Sequence, residues 1–108
     1  MARVALICPD LLFGSKLHGA FAAGGHEVVP PGAPADVQVV DLTADVDDRL
    51  AVATSAELPT LAFYSHVEQD VRRRAEDAGI ERVVPRSRMA REAAALVDAL
   101  AAASGRRS

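Results

Sequence analysis

The chain is expected to fold as one α/β domain, a parallel β-sheet with helices on both faces. Three features of the sequence lead there. Val4–Cys8 is a continuous apolar run of strand length, which marks a strand buried on both faces, and Val37–Leu42 and Thr60–Tyr64 read as further strands. Segments with apolar residues at helical spacing separate them. Strands alternating with helices imply parallel pairing through right-handed crossovers, hence a three-layer sandwich.

Val4-Ala-Leu-Ile-Cys8 is the first strand; Pro9 stops it, and Asp10 is a good N-cap for the helix that follows. Phe13, Leu17, Ala20 and Phe21 form the apolar stripe of a helix from Leu11 to about Ala23. Gly14 inside that helix costs about 1 kcal/mol against alanine, which points to close backbone packing. Gly24-Gly25 ends the helix, and His26–Val29 is a short second strand. Residues 30–35, Pro-Pro-Gly-Ala-Pro-Ala, cannot be helical, because proline removes donors and fixes φ. Val37–Leu42 is the third strand. Thr43 is the expected cap of a helix to about Ser55, whose first turn carries Asp45, Asp47 and Asp48 near the positive end of its dipole. After Leu58-Pro59 comes the fourth strand, Thr60–Tyr64. Ser65-His-Val-Glu68 has the spacing of a capping box for a helix through Val67, Val71, Ala75 and Ala78 to Gly79. Arg82–Pro85 is a fifth strand. A last helix from about Arg88 carries Met89, Ala93, Leu96, Val97 and Leu100 on one stripe. The domain is expected to occupy residues 1–103, with residues 104–108 a disordered tail.

Composition narrows the function classes. A chain of 108 residues holds one core, and half of its residues are apolar. No apolar run reaches the length of a membrane span, and Met1-Ala2-Arg3 leads directly into a strand rather than a signal peptide, so a cytoplasmic protein without membrane contact is expected. A single cysteine excludes an internal disulfide framework. Residues 1–70 carry a net charge of −7 and residues 71–108 a net of +4, a polarity that can orient a partner or a second copy. The basic residues are not interleaved with aromatics and the total charge is −3, which speaks against nucleic acid.

At Asp36-Val-Gln-Val-Val-Asp41-Leu the sequence resembles the third strand of response-regulator receiver domains, whose aspartate there accepts a phosphoryl group. Pro59-Thr-Leu-Ala-Phe-Tyr-Ser-His resembles the fourth strand of that CheY-like family, and Val83-Val-Pro-Arg86-Ser its fifth. The resemblance implies a flavodoxin-like, five-stranded parallel sheet in the order 2-1-3-4-5, with ligands at the C-terminal strand edge. The helix between strands 2 and 3 is replaced by the Pro-rich link. Its seven residues, 30–36, reach about 23 Å when extended. The apolar sheet face left by that helix is expected to be shielded by the link, a partner or a second copy.

The resemblance weakens at the site. Where receivers place two acidic residues to hold magnesium, this chain has Cys8 and Pro9, with only Asp10 beside them. A hard cation needs several oxygen ligands, so Asp10 and Asp41 are weak metal candidates and no cofactor is expected. Tyr64, followed by Ser65, stands where a hydroxyl residue is usual, and Arg86 replaces the lysine with a cation of different shape and reach. Without the metal, a carboxylate nucleophile lacks much of its stabilisation. Asp41 is therefore expected to cap a loop or pair with Arg86, as in a degenerate or pseudo-receiver. The candidate edge comprises Cys8, Asp10, Asp41, Thr43, Tyr64, Ser65, His66, Arg86 and Ser87. His18, His26 and His66 have no metal-ligand spacing and are expected in surface or loop roles. Cys8 is expected to be a small buried hydrophobe.

Arg72, Arg73, Arg74, Arg82, Arg88 and Arg91 form, with Arg86, a basic surface over the helix after strand four, strand five and the last helix. In receivers this is a partner-binding or dimerising face. The expectation is a stand-alone, non-enzymatic signal-transduction module acting by protein interaction or as a homodimer. Two alternatives stand beside it: a small-molecule binder or enzyme using the C-terminal strand edge, and a working phosphoacceptor at Asp41.

Overall fold

The structure, a computed structural model, describes residues 1–65 and 68–105. Its elements run β1 (Arg3–Ile7), α1 (Leu11–Ala23), β2 (Glu27–Val29), β3 (Val37–Asp41), α2 (Val46–Ser55), β4 (Thr60–Tyr64), α3 (Gln69–Asp77), β5 (Arg82–Pro85) and α4 (Arg86–Gly105). The sheet is parallel throughout, in the order β2-β1-β3-β4-β5. Strand and helix identities agree with the sequence reading, with boundaries shifted by one to a few residues. The last helix begins two residues earlier than expected, and its backbone leaves helical geometry at Glu92 (φ −127°, ψ 21°). It extends through Gly105, while residues 106–108 of the expected tail lie outside the described residues.

Strand parity builds two cores. Val37 and Val39 of β3, Leu61 and Phe63 of β4 and Val84 of β5 face α1 and α4. There they meet Phe13, Leu17 and Phe21 from α1 and Met89, Ala93, Leu96, Val97 and Leu100 from α4. Val40, Leu42, Ala62 and Tyr64 face the other way, against Ala53 of α2 and Val71 and Ala75 of α3. Every residue of β3 and β4 is buried, in keeping with their largely apolar sequences. Of the two polar residues of β3, Gln38 donates from Nε2 to the Ala53 carbonyl at 2.7 Å and to Thr60 Oγ1 at 2.8 Å, so its burial leaves no amide donor unsatisfied there.

The Pro-rich link takes over the work of the absent helix. After Val29 the chain turns back over the α2 face of the sheet, and residues 31–35 lie over Ala5 and Ile7. Together with Val52, Ala56 and Leu58 they bound a cavity of about 480 Å³ above β1 and β3. Ala5 is buried. Asp36 fastens the far end: its N–H donates to the Arg3 carbonyl at 2.9 Å, and its Oδ2 accepts the Arg3 N–H at 2.8 Å. The expected shielding thus comes from the chain itself.

Three local expectations are corrected. Thr43 does not cap α2; Asp45 holds the N-cap position in left-handed backbone geometry (φ 50°), and the Thr43 hydroxyl is drawn to Asp41 instead. The capping box does not form, because α3 opens at Gln69 with Glu68 at the N-cap position making no side-chain cap bond, and the Glu68 N–H donates to the Ser65 carbonyl. Val67, expected on that helix, lies outside the described residues. His26 is buried rather than on the surface. Its Nδ1 accepts the Ala2 N–H at 3.0 Å, which leaves Nε2 to face Asp98 Oδ1 at 2.7 Å and ties the start of the chain to α4.

Helix α1 approaches its neighbours through glycine. A Cβ on Gly14 would sit 3.3 Å from the Cys8 carbonyl, so the close packing expected at this position is present. A Cβ on Gly24 would lie 2.7 Å from Ala94 Cβ on α4. Gly24→Ala should therefore lower stability by about 1–3 kcal/mol through overpacking. Gly19→Ala, with nothing within 4 Å, should raise it by about 0.5–1 kcal/mol through helix propensity. Urea denaturation of the two variants checks both signs, and equal effects would contradict the α1–α4 contact.

Candidate functional site

At the C-terminal ends of β1, β3 and β4 the register aligns the candidate residues in rows. Ile7 pairs with Val40, and Asp41 with Phe63, so Cys8 and Asp41 are neighbours one step further along. Asp41 shares the parity of Val37 and Val39 and is only 3% exposed. A carboxylate at that depth needs donors, and the chain supplies them locally. The Thr43 N–H and hydroxyl donate to Oδ1 at 2.7 and 2.5 Å. Arg49 on α2 places Nη1 3.6 Å from Oδ2 and donates to the Asp41 carbonyl at 3.0 Å. Cys8 Sγ lies 3.8 Å from Oδ2.

The expected partnership of Asp41 with Arg86 is not formed. Arg86 sits with its guanidinium carbon 4.1 Å above the Phe13 ring centroid and extends Nη2 to within 3.4 Å of Asp10 Oδ2. Phe13 in turn packs on Phe63, the cross-strand neighbour of Asp41, with ring centroids 5.1 Å apart. Cation–π contact and the exposed ion pair hold Arg86 on the α4 side of this aromatic pair. Asp10 performs the capping role assigned to it, accepting the Leu12 and Phe13 N–H groups at 3.0 and 3.1 Å.

The candidate edge thus divides in two. One group is Asp41, Thr43, Cys8 and the unforeseen Arg49. The other is Asp10, Arg86, Ser65 and Ser87, where Phe13, Lys16, Ser65, Arg86, Ser87 and Ala90 line a cavity of about 520 Å³. Tyr64 belongs to neither, because strand parity turns its ring into the α2–α3 core. His66 lies outside the described residues. A second cavity of about 670 Å³, with Leu6, Cys8, Leu11, His18 and Val28 in its wall, opens beside α1 and β2. Neither cavity includes Asp41 or Thr43.

A receiver-type magnesium ion finds a poor donor set here. Cys8 and Pro9 supply no carboxylate, Asp10 is engaged by helix N–H groups and Arg86, and Asp41 is engaged by Thr43 and Arg49. Among the described residues no three His, Cys, Asp or Glu side chains come together in a metal-holding group. The cysteine is half-buried and packs against the larger core. Burial, reinforced by the nearby Asp41 carboxylate, pushes its thiol up to about 11. The raised value favours the thiol over the thiolate at neutral pH, which disfavours nucleophilic attack by Cys8.

The basic surface is largely occupied within the chain. Arg72 pairs with Glu76, Arg88 with Glu92, and Arg74 with Asp47 across the α2–α3 contact. Among the described residues, Arg73, Arg82 and Arg91 make no ion pair.

Two outcomes test this geometry. Alkylation of Cys8 at pH 8 should be about a hundredfold slower in the folded protein than in the urea-unfolded chain, because the thiolate fraction falls about tenfold per unit of upward shift. Asp41→Asn should accelerate it; an unchanged rate would detach Cys8 from Asp41. Arg49→Met should cost about 2–4 kcal/mol in urea denaturation by stranding a buried carboxylate. A double-mutant cycle with Asp41→Asn should recover part of that loss.

No protein-family model matches the chain, and no curated protein matches its sequence. Solved structures do. NtrX from Brucella abortus, solved in complex with ADP, superposes with a TM-score of 0.83 at 14% identity over 98% of this chain, which spans 27% of that protein. The non-phosphorylated HemR receiver domain from Leptospira biflexa gives a TM-score of 0.73 at 19% identity, with 94% of each chain covered. At these identities the likeness establishes architecture: the chain has the receiver-domain fold, in the strand order that its sequence implied.

Proposed function

We propose that this domain is a regulatory receiver-like module that works by binding protein, without phosphorylation of Asp41. The observation that carries the reading is the state of Asp41. In-line attack on a phosphodonor needs an accessible carboxylate oxygen with a cation beside it. Here Oδ1 accepts two hydrogen bonds from Thr43, and Oδ2 faces Arg49 and Cys8. Releasing Oδ2 for attack would break a contact between two side chains that are both largely buried. The donor set around Cys8 and Pro9 favours activity without magnesium.

The α3–β5–α4 face is the proposed binding surface, for a protein partner or a second copy. Arg73, Arg82 and Arg91 are its available cations, and neutralisation of Arg72, Arg74 and Arg88 by neighbouring acids leaves a mixed rather than uniformly basic surface. That character suits protein better than nucleic acid.

Incubation with magnesium and acetyl phosphate should add no phosphoryl mass. Magnesium with beryllofluoride should leave the amide resonances of Asp41 and Thr43 unmoved. A mass gain of one phosphoryl group that disappears in Asp41→Asn would overturn the proposal and establish a working phosphoacceptor.

A further inference from the structure

We infer that the space between the Pro-rich link and the α2 face of the sheet is a binding site for a small, uncharged, mainly apolar molecule that carries an N–H or O–H donor, of the indole or phenol class. The cavity measures about 480 Å³, within the range of small-molecule sites. No residue of α1, α3, β5 or α4 lines it, and neither Asp41 nor Thr43 does. The inference is therefore independent of the proposed protein-binding surface and of what Asp41 does.

The space exists because short side chains surround it. Ala5 and Gln38 are cross-strand partners in register and, with Ile7, form the sheet side. The link contributes two prolines, one glycine and two alanines, and Val52 and Leu58 stand on the α2 side. Protein interiors are otherwise close-packed, so a void of this size beside the buried Ala5 departs from the rest of the core. Water fills such a space poorly, because an enclosed water needs several polar partners. An apolar molecule that displaces it gains from the hydrophobic effect. The link is also set in place beforehand. Pro31 and Pro34 have fixed φ angles, and Asp36 is tied to Arg3 by two reciprocal hydrogen bonds. Binding against a wall already ordered loses less conformational freedom.

The polar groups define the ligand. No Asp, Glu, Lys, Arg or His lines the cavity, so a charged ligand would give up hydration without gaining a counter-charge. The two polar side chains in the wall are Gln38 and Ser55. Gln38 is 2% exposed, and its Nε2 is spent on the Ala53 carbonyl and Thr60 Oγ1. Its Oε1 accepts no hydrogen bond among the described residues. Ser55 spends its hydroxyl proton on the Val52 carbonyl. Both side chains are thus left with acceptor capacity, and Pro31 and Pro34 have no N–H to offer them. A buried amide oxygen without a donor is uncommon, and a ligand N–H or O–H supplies one. An aromatic ring system with one such donor meets both demands, apolar surface for the walls and a proton for Gln38.

The probe is indole, titrated into the full 15N-labelled chain. Benzothiophene, which has a similar shape but no N–H, and indole-2-carboxylate are the parallel arms. Indole should give saturable shifts centred on the amides of Ala33, Ala35, Gln38, Val52 and Ala56, and added salt should not weaken them. Indole-2-carboxylate should bind about tenfold less tightly than indole. Val52→Phe and Ala56→Phe, both at exposed positions, place a ring at the cavity and should each weaken indole binding about tenfold. Gln38→Met should lower the ratio of indole to benzothiophene affinity about fivefold through the lost hydrogen bond. Dispersion of the same spectra reports whether each variant is folded. Should Gln38→Met not fold, the Gln38 side-chain amide of the unaltered chain decides, since it should move with indole and stay in place with benzothiophene. Shifts that do not saturate, that centre instead on the cavity around Leu11, His18 and Val28, or that survive both phenylalanine variants unchanged would overturn the inference. Equal affinity for indole-2-carboxylate would overturn the assignment to an uncharged ligand. An affinity ratio unchanged in Gln38→Met, or a Gln38 side chain that answers both ring systems alike, would overturn its role as the acceptor.

Discussion

The burial of the Asp41 carboxylate at the end of a strand covered on both faces is the constraint to which the rest of this edge answers. Every residue of β3 is buried, so a charge at its last position cannot turn to water without distorting the sheet. Leaving it unpaired would cost far more than any single hydrogen bond returns. The local chain resolves this by giving Asp41 the Thr43 N–H and hydroxyl and the Arg49 guanidinium. Thr43 is thereby lost to α2 as a cap, and Asp45 takes that position in a left-handed conformation. A satisfied carboxylate is also a quiet one, which links the energetics of the strand end to the proposed lack of phosphorylation.

A second consequence is the separation of the two cationic groups. Arg49 serves Asp41 from the α2 side, whereas Arg86 serves Asp10 and stacks on Phe13 from the α4 side. The Phe13–Phe63 contact joins the aromatic surface under Arg86 to the cross-strand neighbour of Asp41. The edge thus holds a closed polar knot around Asp41 and an open cavity beside Arg86. The cavity beside Arg86 is the more accessible of the two, because Lys16 and Arg86 in its wall are exposed.

The substitution of a proline-containing link for a helix shows the same economy. A sheet face needs cover, but it does not need a helix to supply it. Residues 31–35 shield Ala5, Asp36 anchors the link to Arg3 through a reciprocal pair of hydrogen bonds, and Val52 and Leu58 close the other side. Prolines reduce the conformational entropy lost when such a link is ordered.

The sequence by itself determined the architecture. The apolar runs at β1, β3 and β4, the helical stripes of α1 and α4, and the Gly and Pro punctuation are local signals of strand, helix and chain reversal. The parallel sheet and the absent helix follow from them, the resemblance carried by the Asp41 segment supplied the strand order, and Asp10 as a cap is equally local. Which side chain meets which was decided by the tertiary structure. Arg49, eight positions after Asp41, was not foreseen, because its contact with Asp41 exists only once α2 is placed against the end of β3. The pairing of Arg86 with Asp10 and Phe13 in place of Asp41 and the turning of Tyr64 into the second core join residues far apart in the chain. Pairings of that kind depend on sub-ångström matters of register and helix rotation, to which hydrophobic periodicity is blind. The residues of the edge were therefore visible in the sequence, but their partners, and with them the chemistry, were not.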